Sequence, residues 1–499
     1  MTEVNRIPGG QIDRSRSIRF RFDGQPYTGH PGDTLASALL ANGVRLMGRS
    51  FKYHRPRGPI SAGSEEPNAL VELRGGARRE PNTRATMVEL FDGLEANSQN
   101  RWPSLGFDAL AINDRLSPFF AAGFYYKTFM WPAAFWEKLY EPIIRRAAGL
   151  GSLSRQDDPD AYDKGFLHCD LLVIGAGPAG LAAALTAGRA GARVILADED
   201  FRMGGRLNAE THEIGGIRAA DWAAATVAEL ATLPNVRLMP RTTVIGAFDH
   251  GIYGAVERVS DHLAQPAPGK PRQILWRLYT RRAILAGGAI ERPIAFENND
   301  RPGIMLAGSL RAYANRWGVA AGQTVAVFTN NDDGLRTARD LRASGVAVAA
   351  VIDPRAGASR IVGVEHIPGA VIDTAGRLGL KSITVRDAAG GLRTIPCTAL
   401  GVSGGWNPNL GISSHHRGRP VWNPQIAAFV PGTDGPAGLT VAGAAAGAFS
   451  THAALTTGAA QAAQALADLG IAARPVDLPE AEDAPVNITP FWHVQAGRG

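Results

Sequence analysis

The sequence predicts an α/β chain: a small α+β module first, then two strand–helix–strand units of the nucleotide-binding kind, one inserted into the other. Three observations predict it. A hairpin pattern and a short amphipathic helix open the chain; a glycine turn, "VIGAGPAG", separates an apolar run from a small-residue helix; and a second strand–helix–strand pattern occupies residues 323–353.

Composition narrows the class. With 499 residues and 45% hydrophobic side chains, the chain can bury two or three cores, since domains of roughly 100–200 residues are usual. A net charge of +6 without a dense Lys/Arg tract argues against nucleic acid as a partner. Two cysteines, Cys169 and Cys397, exclude a disulfide framework and a thiolate metal cluster. The amino terminus lacks the apolar core of a secretory signal. The longest aromatic-apolar run, Ser117–Trp136, is interrupted by Lys127 and Pro132, whereas a membrane span needs about 20 predominantly apolar residues. A cytoplasmic protein with no membrane partner is expected.

In chain order, "SIRFRFDGQPYTGH" alternates around Asp23-Gly24 and predicts a hairpin. "DTLASALLANGV" predicts a helix capped by Asp33 or Thr34 and stopped at Gly43. Hairpin, helix, then loop is the opening order of a plant-type ferredoxin fold. The C-x4-C-x2-C spacing of that fold falls on Ser61, Glu66 and Ala69, so no iron–sulfur cluster is expected in this chain. Asp158–Lys164 has the composition of a polar linker.

"CDLLVIG" then suits a buried parallel strand. Gly175, Gly177 and Gly180 follow at G-x-G-x-x-G spacing, with Ala176, Pro178 and Ala179 between them. Gly175 permits the tight turn, Gly177 the approach of a pyrophosphate, and Gly180 the packing of helix on strand. The helix amino end offers free N–H groups to phosphate. "RVILAD" is the next strand, and Asp198 ends it, 23 residues after Gly175. A carboxylate there accepts from ribose hydroxyls and repels a 2′-phosphate, selecting NAD or FAD over NADP.

Downstream strands lead to Ala286-Gly287-Gly288, similar to the "ATG" turn of flavin reductases, and the segment from Gly443 returns to the first unit. In the second unit the phosphate turn reads Phe328-Thr329-Asn330-Asn331-Asp332-Asp333, where side chains obstruct the backbone and carboxylates repel phosphate. One dinucleotide per chain is expected. The fold class is thus a cluster-less ferredoxin-like domain (1–110), an aromatic-rich linker and interface segment (111–165), and a two-dinucleotide-binding-domain flavoprotein fold of the glutathione-reductase type. Its first Rossmann domain spans 166–322 and 403–475, the degenerate second 323–402, and the tail 476–499.

Smaller signals stay open. Phe119–Trp136 holds 9 of the chain's 36 Phe, Trp and Tyr residues, a density suited to an interface or to internal packing. His54–Gly58, "HRPRG", suits a phosphate clamp or a solvated basic loop. His415 and His416, without a third ligand, suit a surface loop, and no metal site is expected.

Over most of its length the chain resembles the α subunits of heterotetrameric sarcosine oxidase, in runs such as "GDTLASALLANGV", "GRSFKYHRPRG", "SAGSEEPNALVEL", "FAAGFYYKTFMWP" and "VIGAGPAGLAAALTAGRAGARVILADED". That resemblance implies NAD in the first Rossmann site, FAD in a β subunit, FMN at the interface with it, and small accessory subunits. It implies no catalytic residue in this chain. The implied NAD contacts are Ala179; Asp198, Glu199 and Asp200; Gly205 and Arg206; Val244 through its backbone; and Ala444, Phe449 and Thr451. Core packing accounts equally well for Val244 and Phe449. The family's α subunits run to roughly twice this length, so the folate-binding half is expected as a separate polypeptide or is lacking. The alternatives are the α subunit of an opine or hydroxyproline dehydrogenase, and a stand-alone FAD reductase.

Overall fold

A computed structural model describes residues 3–119, 131–147, 151–415, 418–473 and 476–495. The chain's apolar alternation begins in β1 (Ile18–Phe22), whose Ile18, Phe20 and Phe22 turn inward. It is joined to β2 (Gln25–Gly29) by Asp23 and Gly24 at φ 48° and 76°. Two positive φ values give the turn the twist of the strands it connects. Helix α1 (Leu35–Ala41) starts where the Thr34 hydroxyl accepts from the Ser37 N–H at 3.2 Å and Ser37 Oγ accepts from the Thr34 N–H at 2.9 Å, a reciprocal cap. With β3 (Leu70–Leu73), β4 (Glu80–Arg84) and β5 (Leu94–Ser98) the module forms a five-stranded sheet in the order β2-β1-β5-β3-β4. Its core, around Leu35, Leu39 and Leu40, runs on without a break into Leu310, Tyr313 and Trp317 of a later helix.

The middle of the chain contributes β6 (Tyr162–Ile174), α2 (Pro178–Arg189), β7 (Val194–Ala197), α3 (Ala219–Thr232), β8 (Val236–Met239), β9 (Thr242–Phe248), β10 (Ile252–Glu257) and β11 (Gln273–Leu285). They form one sheet in the order β8-β7-β6-β11-β10-β9. β6 begins at Tyr162, inside the segment expected to be a polar linker. It pairs in parallel with β11 from Tyr162 opposite Gln273 to Ile174 opposite Leu285. The two long ladders satisfy each other's backbone groups, so the outer half of β6 stays exposed and carries no apolar run to betray it.

The third sheet comprises β12 (Ile304–Leu306), α4 (Ala307–Trp317), β13 (Thr324–Thr329), α5 (Asp332–Ala343), β14 (Ala347–Asp353), β15 (Glu365–Ala375), β16 (Ser382–Asp387), β17 (Leu392–Pro396) and β18 (Ala399–Ser403), its strands in the order β12-β18-β13-β14-β15-β16-β17. Residues 304–317 therefore join the second unit, not the first as the sequence suggested: β12 pairs with β18, and three residues are too few to show a period. The chain then crosses back. β19 (Leu439–Val441) pairs in parallel with Ala283–Leu285 of β11, and α6 (Thr451–Leu469), capped by Ser450, packs on α2.

The contact that sets strand and helix in the first unit is a backbone one. A Cβ at Gly180 would lie 1.8 Å from the Gly175 carbonyl oxygen, and one at Gly175, where φ is +98°, 2.5 Å from that of Ala286. Small residues also set the α2–α6 approach, since a Cβ at Gly458 would lie 2.1 Å from the Ala179 carbonyl oxygen. Gly180→Ala is expected to destabilise the chain by about 3 kcal/mol or more, because backbone must move to admit the methyl group; denaturant unfolding measures it.

Candidate functional site

Above this turn opens a cavity of about 700 Å³, lined by residues of the first and second Rossmann units and by loops of the amino-terminal module. Gly177, at the amino end of α2, faces it, and a Cβ there would meet nothing within 4 Å. The space beside the first turn of α2 is therefore a cradle that only a missing side chain leaves open, and the residues fit a dinucleotide phosphate. Gly175, Pro178, Ala179, Gly205, Arg206, Val244, Ala286, Gly287, Ala444, Phe449 and Thr451 also line the cavity. Val244 lies in β9 immediately before an irregularity in its pairing with β10. Ala176, Gly180 and Gly443 serve the walls. The Ala176 N–H donates to Asp198, while a Cβ at Gly443 would lie 2.6 Å from that of Ala179.

The three acids that follow β7 all line the cavity, each with its own partners. Asp198 is buried; its Oδ1 accepts from the Asp200 N–H at 2.8 Å and its Oδ2 from the Ala176 N–H. It braces the turn through these two contacts and also lines the cavity. Burial pushes its carboxyl up to about 7, with repulsion from Asp200 adding to the effect. Asp200 is engaged too: burial pushes it up, but the Arg316 guanidinium, with Nη2 at 2.9 Å from Oδ1, holds it below the usual carboxylate range. Glu199 lines the cavity too, where its Oε1 accepts from Ser64 Oγ at 2.6 Å.

Arg206 is likewise committed. It pairs with Glu210 and Asp333 and lies 5.0 Å over the Trp406 ring. Arg311, 2% exposed, takes the other side of Asp333 at 3.2 Å. Burial pushes the Asp333 carboxyl up, yet these two guanidiniums hold it at about 2. The network ties the floor of the first site to the head of α5 in the second unit.

That second phosphate turn is filled. Asn331 Oδ1 accepts from the N–H groups of Asp333 and Gly334 at 3.0 and 3.2 Å, supplying what a phosphate would otherwise supply. Across it lies the chain's own tail: Asn330 Nδ2 donates to the Thr489 and Phe491 carbonyls at 2.9 and 3.2 Å, the Thr489 N–H to the Asn330 carbonyl at 3.0 Å, and Asn487 Nδ2 to Asp332 at 2.8 Å. The carboxylates therefore do not face an open phosphate site; Asp333 turns inward and Asp332 meets Arg355 at 2.8 Å.

In the amino-terminal module, Glu66 occupies the centre of the loop where a ferredoxin holds its cluster. It is 1% exposed, and its two oxygens accept from the N–H groups of Ile60, Ser61, Asn68 and Ala69 at 2.7–2.9 Å. Burial pushes its carboxyl up against the pull of those donors. Of the smaller motifs, Arg55 and Arg57 both pair with Asp300, which leaves neither as a free clamp. His54 Nδ1 lies 2.7 Å from Asp108, buried. His415 Nδ1 accepts from the Ala247 N–H at 3.2 Å at the cavity edge. His416 and residues 120–130 of the aromatic stretch lie outside the described residues. Among the described residues no group of three His, Cys, Asp or Glu is arranged to hold a metal ion, and no helix is long and apolar enough to cross a membrane.

Sequence inspection missed Ser64, Glu65, Arg258, Arg316 and Trp406, all on the cavity wall. No local motif marks them: Ser64, Glu65, Arg316 and Trp406 reach the first Rossmann unit from other parts of the chain, and Arg258 follows β10 without a motif of its own.

Residues 15–101 match the family of 2Fe-2S iron–sulfur cluster binding domains, and residues 170–232 the FAD dependent oxidoreductases. The first match overturns the expectation that placed this chain outside iron–sulfur cluster chemistry. The residues standing in the loop do not fit thiolate ligation: residues 15–101 contain no cysteine, and Cys169 and Cys397 are buried elsewhere. The chain is 53% identical over 491 residues to the sarcosine oxidase alpha chain of Rhizobium meliloti (strain 1021), covering 97% of this chain and 49% of the relative. It is 30% identical over 336 residues to one of the opine oxidase subunits of Agrobacterium tumefaciens (strain Ach5), covering 60% and 66%. The chain spans about half the length of the sarcosine oxidase relatives it matches. In structure it is similar to the L-proline dehydrogenase from P. horikoshii, with a TM-score of 0.65 at 20% identity over 95% of this chain and 77% of that one; at that identity the likeness concerns the fold.

The raised Asp198 carboxyl carries a pH signature. Its folded pKa of about 7 lies above an unfolded value of about 3.9, so its contribution is full below the unfolded value and is lost as pH rises through about 7. Asp198→Asn is expected to flatten the fall in melting temperature between about pH 5 and 7; an unchanged slope contradicts the assignment.

Proposed function

The chain belongs to the sarcosine oxidase α-subunit family, and from that premise we propose that it is the NAD-holding α subunit of a multi-subunit amine oxidoreductase. One observation carries the reading: a phosphate turn stripped of side chains stands beside a second turn filled by Asn331 and the chain's own tail. One dinucleotide per chain follows.

In this reading NAD lies along the first cavity. Its pyrophosphate rests over Gly177, where the amino end of α2 presents N–H groups and the positive end of the helix dipole. Glu199 accepts from the adenosine ribose hydroxyls, and the β9 backbone at Val244 flanks the adenine. Ala286, Gly287, Ala444, Phe449 and Thr451 exclude water along the far wall. When bound, NAD would supply an anchored nucleotide in a cavity that the Asp333 ion pairs already hold in one shape. In this reading the acid, base or nucleophile that the amine needs comes from the partner. A secondary N-methyl amine, sarcosine or a close relative, is oxidised on a flavin-bearing β subunit that carries FAD and, at the shared interface, FMN. The methyl-derived carbon leaves as formaldehyde or, with a folate-binding partner, as methylenetetrahydrofolate.

The exposed side chains Trp131, Phe135, Leu139 and Ile143, close together in sequence, support a partner face, since soluble monomers rarely leave contiguous apolar patches bare. The similarity to an opine oxidase favours a second reading in which the partner oxidises an opine.

Denaturing the purified chain is expected to release one equivalent of NAD, and the protein is expected to be colourless. Release of FAD instead, or of two dinucleotides, overturns the reading. Glu199→Ala is expected to weaken NAD binding by about tenfold, the effect of losing a hydrogen bond to a charged group, as measured by calorimetry. Oxidation of sarcosine or of an opine by the complex with its β subunit identifies the amine.

A further inference from the structure

The loop at residues 62–65 comes from the cluster-type module, yet Ala62, Gly63, Ser64 and Glu65 line the dinucleotide cavity. The loop is held from four sides. Thr86 Oγ1 donates to the Gly63 carbonyl at 2.7 Å, and Tyr313 Oη to the Ser61 carbonyl at 3.0 Å. The Leu306 N–H donates to the Ile60 carbonyl at 2.8 Å, and Glu66 gathers the backbone N–H groups on either side. From this fixed base Ser64 Oγ reaches across the domain boundary to Glu199 Oε1 at 2.6 Å. Glu65, exposed on the cavity side of the loop, has no cation against it among the described residues; desolvation and repulsion from Glu66 and Glu199 push its carboxyl up against the pull of the Ser61 hydroxyl. Nearby cations are engaged: Arg316 on Asp200, and Arg258 on the carbonyls of Glu199 and Met87.

We propose that this loop is a working wall of the nucleotide site: Ser64 orients Glu199 toward an adenosine 2′,3′-diol, and Glu65 supplies a second negative charge that excludes a 2′-phosphate. The inference rests on the reading of the cavity as a dinucleotide site and adds residues from outside the Rossmann unit to its specificity. A free diol is common to NAD and FAD, so the chemistry is shared and the experiment separates the two.

The test uses the full chain freed of endogenous nucleotide, with calorimetric Kd values for NAD, FAD and NADP. Whichever of NAD and FAD binds is the occupant, and NADP is expected to bind at least about a hundredfold more weakly. Ser64→Ala is expected to weaken the occupant by about fivefold, the worth of one hydrogen bond. Glu65→Gln is expected to narrow the NADP-to-NAD ratio of Kd values by about tenfold, and Glu65→Arg by more, with the gain shrinking as salt rises. Both positions border an open cavity, and unchanged melting temperatures confirm that the variants fold. If wild type binds NAD while all three variants keep its Kd values and ratio, the loop is an inert wall and the proposal fails. If wild type binds none of the three nucleotides, the reading of the cavity itself fails, and this inference with it.

Discussion

The Gly175 carbonyl and the Gly180 backbone approach so closely that no side chain fits between them, and that approach decides the rest of the first unit. It draws the start of α2 down onto the end of β6, bringing the Ala176 N–H within reach of Asp198 at the end of β7. It also leaves the cradle at Gly177 open while the walls around it are closed by backbone. A turn made of backbone costs no side-chain ordering and offers donors in a fixed direction, which suits a phosphate better than flexible cations do.

The second unit shows what happens when the same architecture carries side chains. Gly334 holds a position comparable to that of Gly180, with Thr329 Oγ1 only 2.2 Å from where a Cβ would stand, so strand and helix still pack closely. But Asn331 caps the helix from within, and the tail from Asn487 to Phe491 runs over the turn. The donors that would meet a nucleotide are consumed by the protein. Asp333, freed from any phosphate, becomes the hub of the ion pairs with Arg206 and Arg311 that joins the two units. Such a buried hub is satisfied only in one arrangement of the units, which favours a fixed cavity over a hinged one.

The amino-terminal module follows a parallel logic. Glu66 collects four backbone donors where the matched cluster-binding family gathers ligands around iron and sulfide. The carboxylate preserves the loop's shape, and the shape presents residues 62–65 to the neighbouring Rossmann unit. A loop built around one centre thus forms part of the wall of another.

The turn chemistry was legible in the sequence by itself, because glycine spacing, capping residues and strand-length apolar runs are local signals. Asp23-Gly24, the Thr34 cap, the G-x-G-x-x-G turn and the spoiled turn at Asn330–Asp333 all stand where the sequence put them. The tertiary structure alone decided what else the acids touch, Asp198 taking the N–H groups of Ala176 and Asp200 and Glu199 the Ser64 hydroxyl. It alone brought Ser64, Glu65, Arg316 and Trp406 to the site, and it alone laid the tail across the second turn. Those arrangements depend on contacts between residues far apart in sequence, and no periodicity within a single element encodes them. Local pattern fixes where a backbone can bend; which side chains then meet is settled when the three sheets pack.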